Sequence, residues 1–554
     1  MSFTRKINTR KLFILICFSP LLSFSQSILS SGQIHGSFQM DAQYYIKDSL
    51  IGAPQVPEKV LMNAFANLLY TNGDFSAGLR YESFQDVMQG FDPRNKGNGI
   101  PYRFISYKSD ELHVTVGNIY EQFGTGIILR TYQDWNLGID NSVDGVDVAY
   151  TPIPGITVKG LIGTQRFFFD KGDGIVRGLD GEVSLNDLLK GFAKSKTKIT
   201  LGGSFVSKYQ KDQDPIYKLP LNVGAGAGRI NIVSGKINIV SEYAYKINDP
   251  STANSMIYKP GDALFISSTY SQKGLGISLS GKRIDNMSFR SDRAVTGNAL
   301  MINYLPSLTK EQAYTLAAMY PDATQPNGEE GLQAELTYNI KKKTKIGGRY
   351  GTDITVNYAR TGSIDRQQVN DTTAIGQSGT MGYTSDFLKT GKVLFFEDFN
   401  ITIEKKINKK LSGVLMYLYQ SYNKEVIEGH PGAPMIYSHI GILDLTYKIR
   451  EKKSFQLELQ HLLTKQDNGK WAMAMLQYTI APKWFFAASD LYNYGNSDNS
   501  KRFHYYNASV GFIKNANRIS LTYGRTRQGI LCVGGVCRYV PASNGLSLTV
   551  ISSF

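Results

Sequence analysis

The chain has 554 residues and a formal charge of +15, and beyond its N-terminus it holds no run of 18 apolar residues, which excludes a membrane protein built from helices. A basic balance can signal nucleic acid. Here the lysines sit in short turn-like clusters and the N-terminus reads as an export signal, so no nucleic-acid partner is expected.

Met1–Lys11 carries Arg5, Lys6, Arg10 and Lys11 with no acid, and Leu12–Phe24 is apolar apart from Ser19, Pro20 and Ser23. Ser23-Phe24-Ser25 then supplies small residues at signal-peptidase spacing. The run is too short for a membrane anchor. Cys17 does not read as a lipoprotein cysteine, because bulky Ile16 precedes it and the apolar run continues past it. The expectation is a signal peptide over 1–25, cleaved near Ser25 or Gln26, and a mature domain over 26–554. Loss of the four basic residues lowers the formal charge from +15 to +11.

Downstream the pattern is alternation. Ile34, Gly36, Phe38, Met40, Ala42, Tyr44 and Ile46 share one face of the first segment, against His35, Ser37, Gln39, Asp41, Gln43 and Tyr45. Phe75–Phe84 places Arg80 and Glu82 on its polar face, and Leu332–Ile340 and Phe455–Leu463 alternate in the same way. Mean hydropathy is −0.23, polar for a membrane protein unless only every second residue meets lipid. A soluble β-sandwich also alternates, and four features separate the readings.

Compact connections recur at Asn72–Asp74, Ser109–Glu111, Pro152–Gly155, Ser184–Lys196 (with a short helix over Asn186–Ala193), Ser234–Lys236, Lys273–Leu275, Lys341–Lys343, Asn408–Lys410, Arg450–Lys453, Ala481–Lys483 and Lys514–Asn517. Between them run strand pairs joined by longer, more polar loops, the outer-membrane pattern. Aromatics crowd strand ends, as at Tyr44-Tyr45, Phe167–Phe169, Phe395-Phe396, Trp484–Phe486 and Tyr505-Tyr506. The chain closes on an alternating segment ending in Phe554, a barrel-assembly signal. The predicted fold is all-β, a single transmembrane antiparallel β-barrel of about 24 strands (range 22–26) in the outer membrane of a Gram-negative bacterium. Its expected partners are outer-membrane lipid, the barrel-assembly machinery during biogenesis, and an envelope protein if the barrel is a scaffold. The first strand begins near Gln33, which leaves no room for an N-terminal plug domain, and no peptidoglycan-binding domain is expected after the last strand.

A lumen this wide is expected to be narrowed by loops or a partner. Gln122–Val143, Asp285–Glu329, Ala359–Gly391 and Asn423–Ile436 are the candidate inward loops, and Thr309–Met319 reads as a short helix capped by Thr309. Inward faces carry Asp41, Arg80, Glu82, Lys159, Glu242, Glu335, Glu404 and Glu458. Such charges either select solutes or only solvate the lumen and bridge its walls. Arg80, Glu82, Arg130, Asp134, Asp144 and Arg166 are the candidate lumen or constriction residues, the first two from alternation.

Asp170-Lys-Gly-Asp173-Gly174 with Asp180 and Glu182, and separately Asp140, Asp144 and Asp147, offer oxygen ligands but lack the spacing of a calcium loop. No metal, cofactor or catalytic residue is expected: the histidines (His35, His113, His430, His439, His461 and His504) are scattered, with no paired nucleophile, and His461 falls on the lipid-facing register. Cys532 and Cys537, the cysteines of the mature chain, lie in one Gly-rich loop and read as a disulfide.

Two stretches carry a resemblance. Gly117-Asn-Ile-Tyr-Glu-Gln-Phe-Gly-Thr-Gly126 runs on through Trp135-Asn-Leu-Gly-Ile-Asp140 and Val143–Tyr150, and Cys532-Val-Gly-Gly-Val-Cys537 continues to Gly545. Together with Phe24-Ser-Gln26 they resemble a family of outer-membrane barrels of unknown function from Bacteroidota, along the whole mature chain. The Gly117–Gly126 segment and the Asp-Gly-Val that follows are also similar to carbohydrate porins and polysaccharide-export barrels. That similarity implies an inward loop and neighbouring strands lining a pore with charged residues. The functional expectation is a porin-like channel or transport barrel for polar solutes, saccharides among them. The alternative is a non-conducting scaffold that binds a secretion or surface-assembly partner.

Overall fold

The computed structural model describes residues 32–554; the expected signal peptide lies outside the described residues. One sheet of 24 strands runs antiparallel from Gln33–Tyr45 to Ser543–Ser553, each strand pairing with the next of the sheet in the chain. The first strand then pairs with the last, from Ser37 opposite Ser553 to Tyr45 opposite Gly545, and the sheet closes into a barrel. Beyond that ladder Gly36 and Phe554 exchange both backbone hydrogen bonds at 3.0 Å, so the terminal phenylalanine locks the seam.

All eleven compact connections fall on one rim, between the strands that the alternation marks. The connection after Ile340 extends to 351, and the helix near 186 shortens to Leu185–Leu188. The other rim carries the longer loops, of which 286–327 is the largest, plus one tight turn at Phe168-Phe169. Among the described residues no helix is long and apolar enough to cross a membrane.

The period of two decides which side chains face in and which face out. Outward residues form an apolar belt of aliphatic side chains such as Leu79, Ile105, Val148, Leu279, Leu415 and Leu476, all exposed. Exposed aromatics edge it on both rims: Phe75, Tyr338, Tyr447 and Trp484 by the turns, Tyr44, Tyr81, Tyr243 and Tyr523 by the loops. Scattered exposed leucines mean little, but a continuous ring of them is what lipid contact requires. His461 lies in this outer set, as its register predicts.

The interior has two halves. Toward the turns, facing strands meet through small polar groups: Ser267 with Ser280 at 3.0 Å, Thr337 with Thr355 at 3.3 Å, and Ser509 with Thr522 at 2.8 Å. Toward the loops the interior is filled. The segment 120–142 buries Phe123, Ile127, Ile128 and Leu129, and the loop 286–327 buries Met287, Phe289, Ile302 and Leu305; these pack on inward Val176, Val206, Val223 and Ile284 of one wall. Leu316, Ala317, Met319 and Tyr320 of the same long loop pack on Met416, Leu418, Ile440, Leu462 and Trp471 of the other wall. One loop therefore spans the lumen from wall to wall. Of the four expected inward loops these two fill the barrel. The tips of the other two, around 370–380 and 429–433, stand exposed, because they carry no comparable apolar run. Thr309–Met319 is an irregular strap ending in a single turn rather than a helix: Ala318 N–H donates to Tyr314 O at 2.9 Å, and Leu316, Ala317 and Met319 of that turn are buried against the wall.

The two faces make opposite demands on a substitution. Leu476→Arg, in the middle of the outer belt, is expected to cost about 2–4 kcal/mol of folding free energy. Gln477→Arg, one residue on and facing the lumen, is expected to cost well under about 1 kcal/mol. Urea titration of the protein folded into lipid vesicles reads both.

Candidate functional site

Alternation turns Arg80 and Glu82 of the strand Phe75–Phe84 into the barrel, where Asp140 of the inner segment and Arg166 near the end of the strand Ile156–Phe167 meet them. Arg80 Nε donates to Glu82 Oε1 at 2.7 Å, and its Nη2 pairs with Asp140. Arg166 donates to Glu82 Oε2 and to Asp140 Oδ2, both at 2.6 Å. Two cations and two anions thus close a square, and Glu82 is fully buried within it. Remaining donors are satisfied: Arg80 Nη1 reaches Gln133 Oε1 at 2.9 Å, Tyr120 donates its hydroxyl to Asp140 at 2.9 Å, and Arg166 Nε donates to the Phe168 carbonyl at 2.6 Å. The Arg80 guanidinium lies between the rings of Tyr102 and Trp135, 4.6 and 4.8 Å from their centroids. A buried ion pair is weak evidence for stability but strong evidence for a fixed geometry, since losing one partner strands the others.

The remaining candidates go elsewhere. Arg130 stands in the inner segment with its guanidinium 4.1 Å from the Tyr304 ring, and its backbone N–H donates to Ile302 O, which joins the two inner loops. Asp134 caps a turn, accepting from the N–H groups of Asn136 and Leu137. Asp144, expected in the lumen, is not there. It shares the register of exposed Val146, Val148 and Tyr150, so it faces outward, where it pairs with Arg103 at 3.0 Å and Lys171 at 2.7 Å. Asp140, Gln133, Trp135 and Tyr120 complete the cluster without having been singled out for it, although the Trp135–Asp140 stretch stood out in the sequence.

Other inward charges hold the loops rather than line an open pore. Lys159 pairs with Glu121 at 3.0 Å, Glu242 accepts from the Thr125 N–H at 2.6 Å, and Lys310 of the long loop pairs with Glu335 at 3.4 Å. Lys208 and Asp249 form a fully buried pair at 2.7 Å, and Lys282 pairs with Glu329 at 2.6 Å beside the loop's exit. Asp322, near the end of the long loop, accepts from Ser307 Oγ at 3.1 Å. Burial and the neighbouring Glu329 push its carboxyl up to about 7, against the pull of Lys282. Asp180 and Glu182 are held by Arg229. Among the described residues no group of three His, Cys, Asp or Glu is arranged to hold a metal.

The cysteine hairpin completes the stopper. Cys532 and Cys537 are joined in a disulfide, and the tip between them docks on the long loop. There Gly534 O accepts from Tyr304 Oη at 2.8 Å, and Gly535 O accepts from the Thr324 N–H at 3.0 Å.

Residues 8–554 match the model of DUF6029, a family of unknown function, and the chain belongs to that family. No curated protein matches it in sequence. Among solved structures it is similar to the P pilus usher PapC translocation pore, with TM-score 0.41, 9% identity, and 94% of this chain and 99% of that one covered. It is also similar to a mutant ferric enterobactin receptor PfeA of Pseudomonas aeruginosa, at TM-score 0.41, 12% identity and 94% and 80% coverage. For OccD3 of the same organism the values are 0.34, 12%, 81% and 90%. Likenesses this distant leave the site to be read from its own residues.

Glu82→Gln leaves two buried guanidinium groups facing one carboxylate and is expected to cost about 3–5 kcal/mol, read as a lower unfolding midpoint with the barrel still heat-modifiable on a gel. Asp322 gives the second test. An acid with a raised folded pKa keeps its proton between about 4, the ordinary value, and about 7, so the native state loses relative stability as pH rises through that window. The charged groups facing it, Glu329 and Lys282, do not cancel this sign. Thermal midpoints measured from pH 5 to 8 should fall more in the native chain than in Asp322→Asn.

Proposed function

We propose that the protein is an outer-membrane transport barrel for polar solutes that rests in a closed state. The observation that carries this reading is the division of the lumen: a polar, small-residue wall on the turn side, stopped on the loop side by a loop that touches both walls. The outer apolar belt with its aromatic edges supports the outer membrane as the site, with the turns toward the periplasm and the loops outside. A polar wall suits hydrated solutes, because its hydroxyl and amide groups can replace part of a solute's hydration shell. No chemical step is required of any residue. Passage requires displacement of the long loop, which is held to the wall by apolar contacts from Met287 to Tyr320 and by polar ties such as Lys310 to Glu335 and the Lys282 ammonium donating to Pro306 O at 2.7 Å.

The same closure suits a second reading, a non-conducting scaffold whose outer loops hold an envelope partner; the two apolar clusters that clamp the loop favour it.

One experiment separates them. The ends of the long loop meet, Met287 N–H donating to Pro326 O at 2.8 Å, so residues 288–325 can be replaced by a short Gly-Ser linker without straining the sheet. In planar bilayers the native chain should be silent or open only briefly, and the excised variant should show large, stable conductance steps. An excised variant that is folded by its heat-modifiable gel shift yet silent would refute the transport reading and leave the scaffold.

A further inference from the structure

A cleft of about 440 Å³ opens among the loops directly above the Arg80–Glu82–Asp140–Arg166 square. We propose that it binds neutral saccharide rings; this rests on the transport reading and names the solute class that the outer side would recognise.

Three observations converge. The first is the wall. Phe91 and Trp135 from two loops, with Phe167 and Phe168 at the hairpin end of the strand Ile156–Phe167, line the cleft half-buried. Trp135 is braced from behind by Phe65, with ring centroids 3.6 Å apart. Phe168 is held in the left-handed region at φ 57°, which a bulky residue rarely adopts, while its carbonyl accepts from Arg166. Strain of that kind persists where surrounding structure enforces it, and it concentrates at ligand clamps. Aromatic faces carry negative charge and attract the slightly positive C–H faces of a pyranose ring.

The second observation is the edge. Asp92, Arg94 and Asn95 line the cleft together with Arg538, which packs beside them on Gly90 and Phe91. Arg94 is half-exposed and lies 4.8 Å from the Phe168 ring, and Arg538 lies 4.1 Å from the Phe91 ring. Hydroxyl groups both donate and accept, so a sugar can use the guanidinium donors and the carboxylate and amide acceptors together.

The third is charge. Three carboxylates and three guanidinium groups line the cleft, Glu82, Asp92 and Asp140 against Arg94, Arg166 and Arg538; Arg166 pairs with Glu82 and Asp140, Arg94 pairs with Asp92 at 2.7 Å, and Arg538 donates to the carbonyls of Asn136 and Gly90. The lining's formal charges therefore sum to zero, which gives a strongly anionic ligand no net attraction, and a purely apolar one would leave the polar edge unsolvated. The volume is within the usual range for small-ligand sites, roughly 300–1,000 Å³.

Trp135 supplies the readout. The full chain, folded in a detergent without a sugar headgroup, is titrated with maltohexaose, cellohexaose and laminarihexaose while tryptophan emission is followed, with calorimetry as a second measure. At least one hexasaccharide should give a saturable change, weakened tenfold or more by Phe91→Ala and by Phe167→Ala, and unchanged by Trp484→Phe on the outer belt. Heat-modifiable gel shifts confirm that each variant is folded. Silence of all three sugars by both measures overturns the proposal, as does binding that ignores Phe91→Ala and Phe167→Ala. Saturable binding of indole-3-acetate in place of the sugars overturns it too, assigning the cleft to aromatic acids. Conductance after loop excision without sugar binding would end this inference and keep the transport reading; binding without conductance would do the reverse.

Discussion

In hydrocarbon a backbone N–H or C=O has no water to turn to, so every strand must find its partners in another strand and the sheet must have no edge. The rest of this structure follows from that demand. It brings Ser37–Tyr45 against Gly545–Ser553 across almost the whole chain, and it sets Phe554 against Gly36. It also makes register absolute, because a slip of one residue would turn Leu79 inward and Arg80 into lipid. Closure thus creates an inside and an outside from a single period of two.

Closure also creates a volume that must be managed. The wall's own side chains cannot fill a ring of 24 strands, and the chain fills half of it with segments that lie between strands in sequence. Those segments bring their own apolar core, which divides into one cluster on each wall. Where they carry charge, the wall answers it singly: Lys159 for Glu121 and Glu335 for Lys310. The square at Arg80 differs in kind. Four charges neutralise one another and bind a strand, an inner segment and a strand end into one rigid floor. Replacing such an arrangement with apolar packing would often be neutral in stability, so its value here lies in fixing where Trp135 and Phe168 stand.

The strands and turns were legible because their signals are local. A turn such as Asn72-Gly73-Asp74 and an alternation such as Leu332–Ile340 each need fewer than about fifteen residues to read. The stopper was not, because nothing within residues 286–327 says that Leu316 will meet Leu462 or that Phe289 will meet the wall beyond Val223. Both inner loops were named, but so were two whose tips stay outside; a polar loop and a plug differ by partners that lie far away in sequence. Arg80, Glu82 and Arg166 were named separately, yet their union needed Asp140 and a separation of 84 residues between Glu82 and Arg166. Asp144 was misjudged for a different reason. Its face depends on parity alone, and in a stretch as polar as Val143-Asp-Gly-Val-Asp147 parity cannot be told until a neighbouring strand fixes it.

The seam between first and last strands has a kinetic side. Contacts this distant in sequence are the last to form, since they wait on every hairpin between them. Until the last strand is seated, the strand Gln33–Tyr45 presents one edge of unpaired backbone groups, and the other end of the sheet presents another. Two such edges on one chain are each a template for pairing with the wrong molecule. A barrel closed in this way is therefore most vulnerable just before completion, and its final eleven-residue strand decides whether the preceding hundreds become a ring or an aggregate.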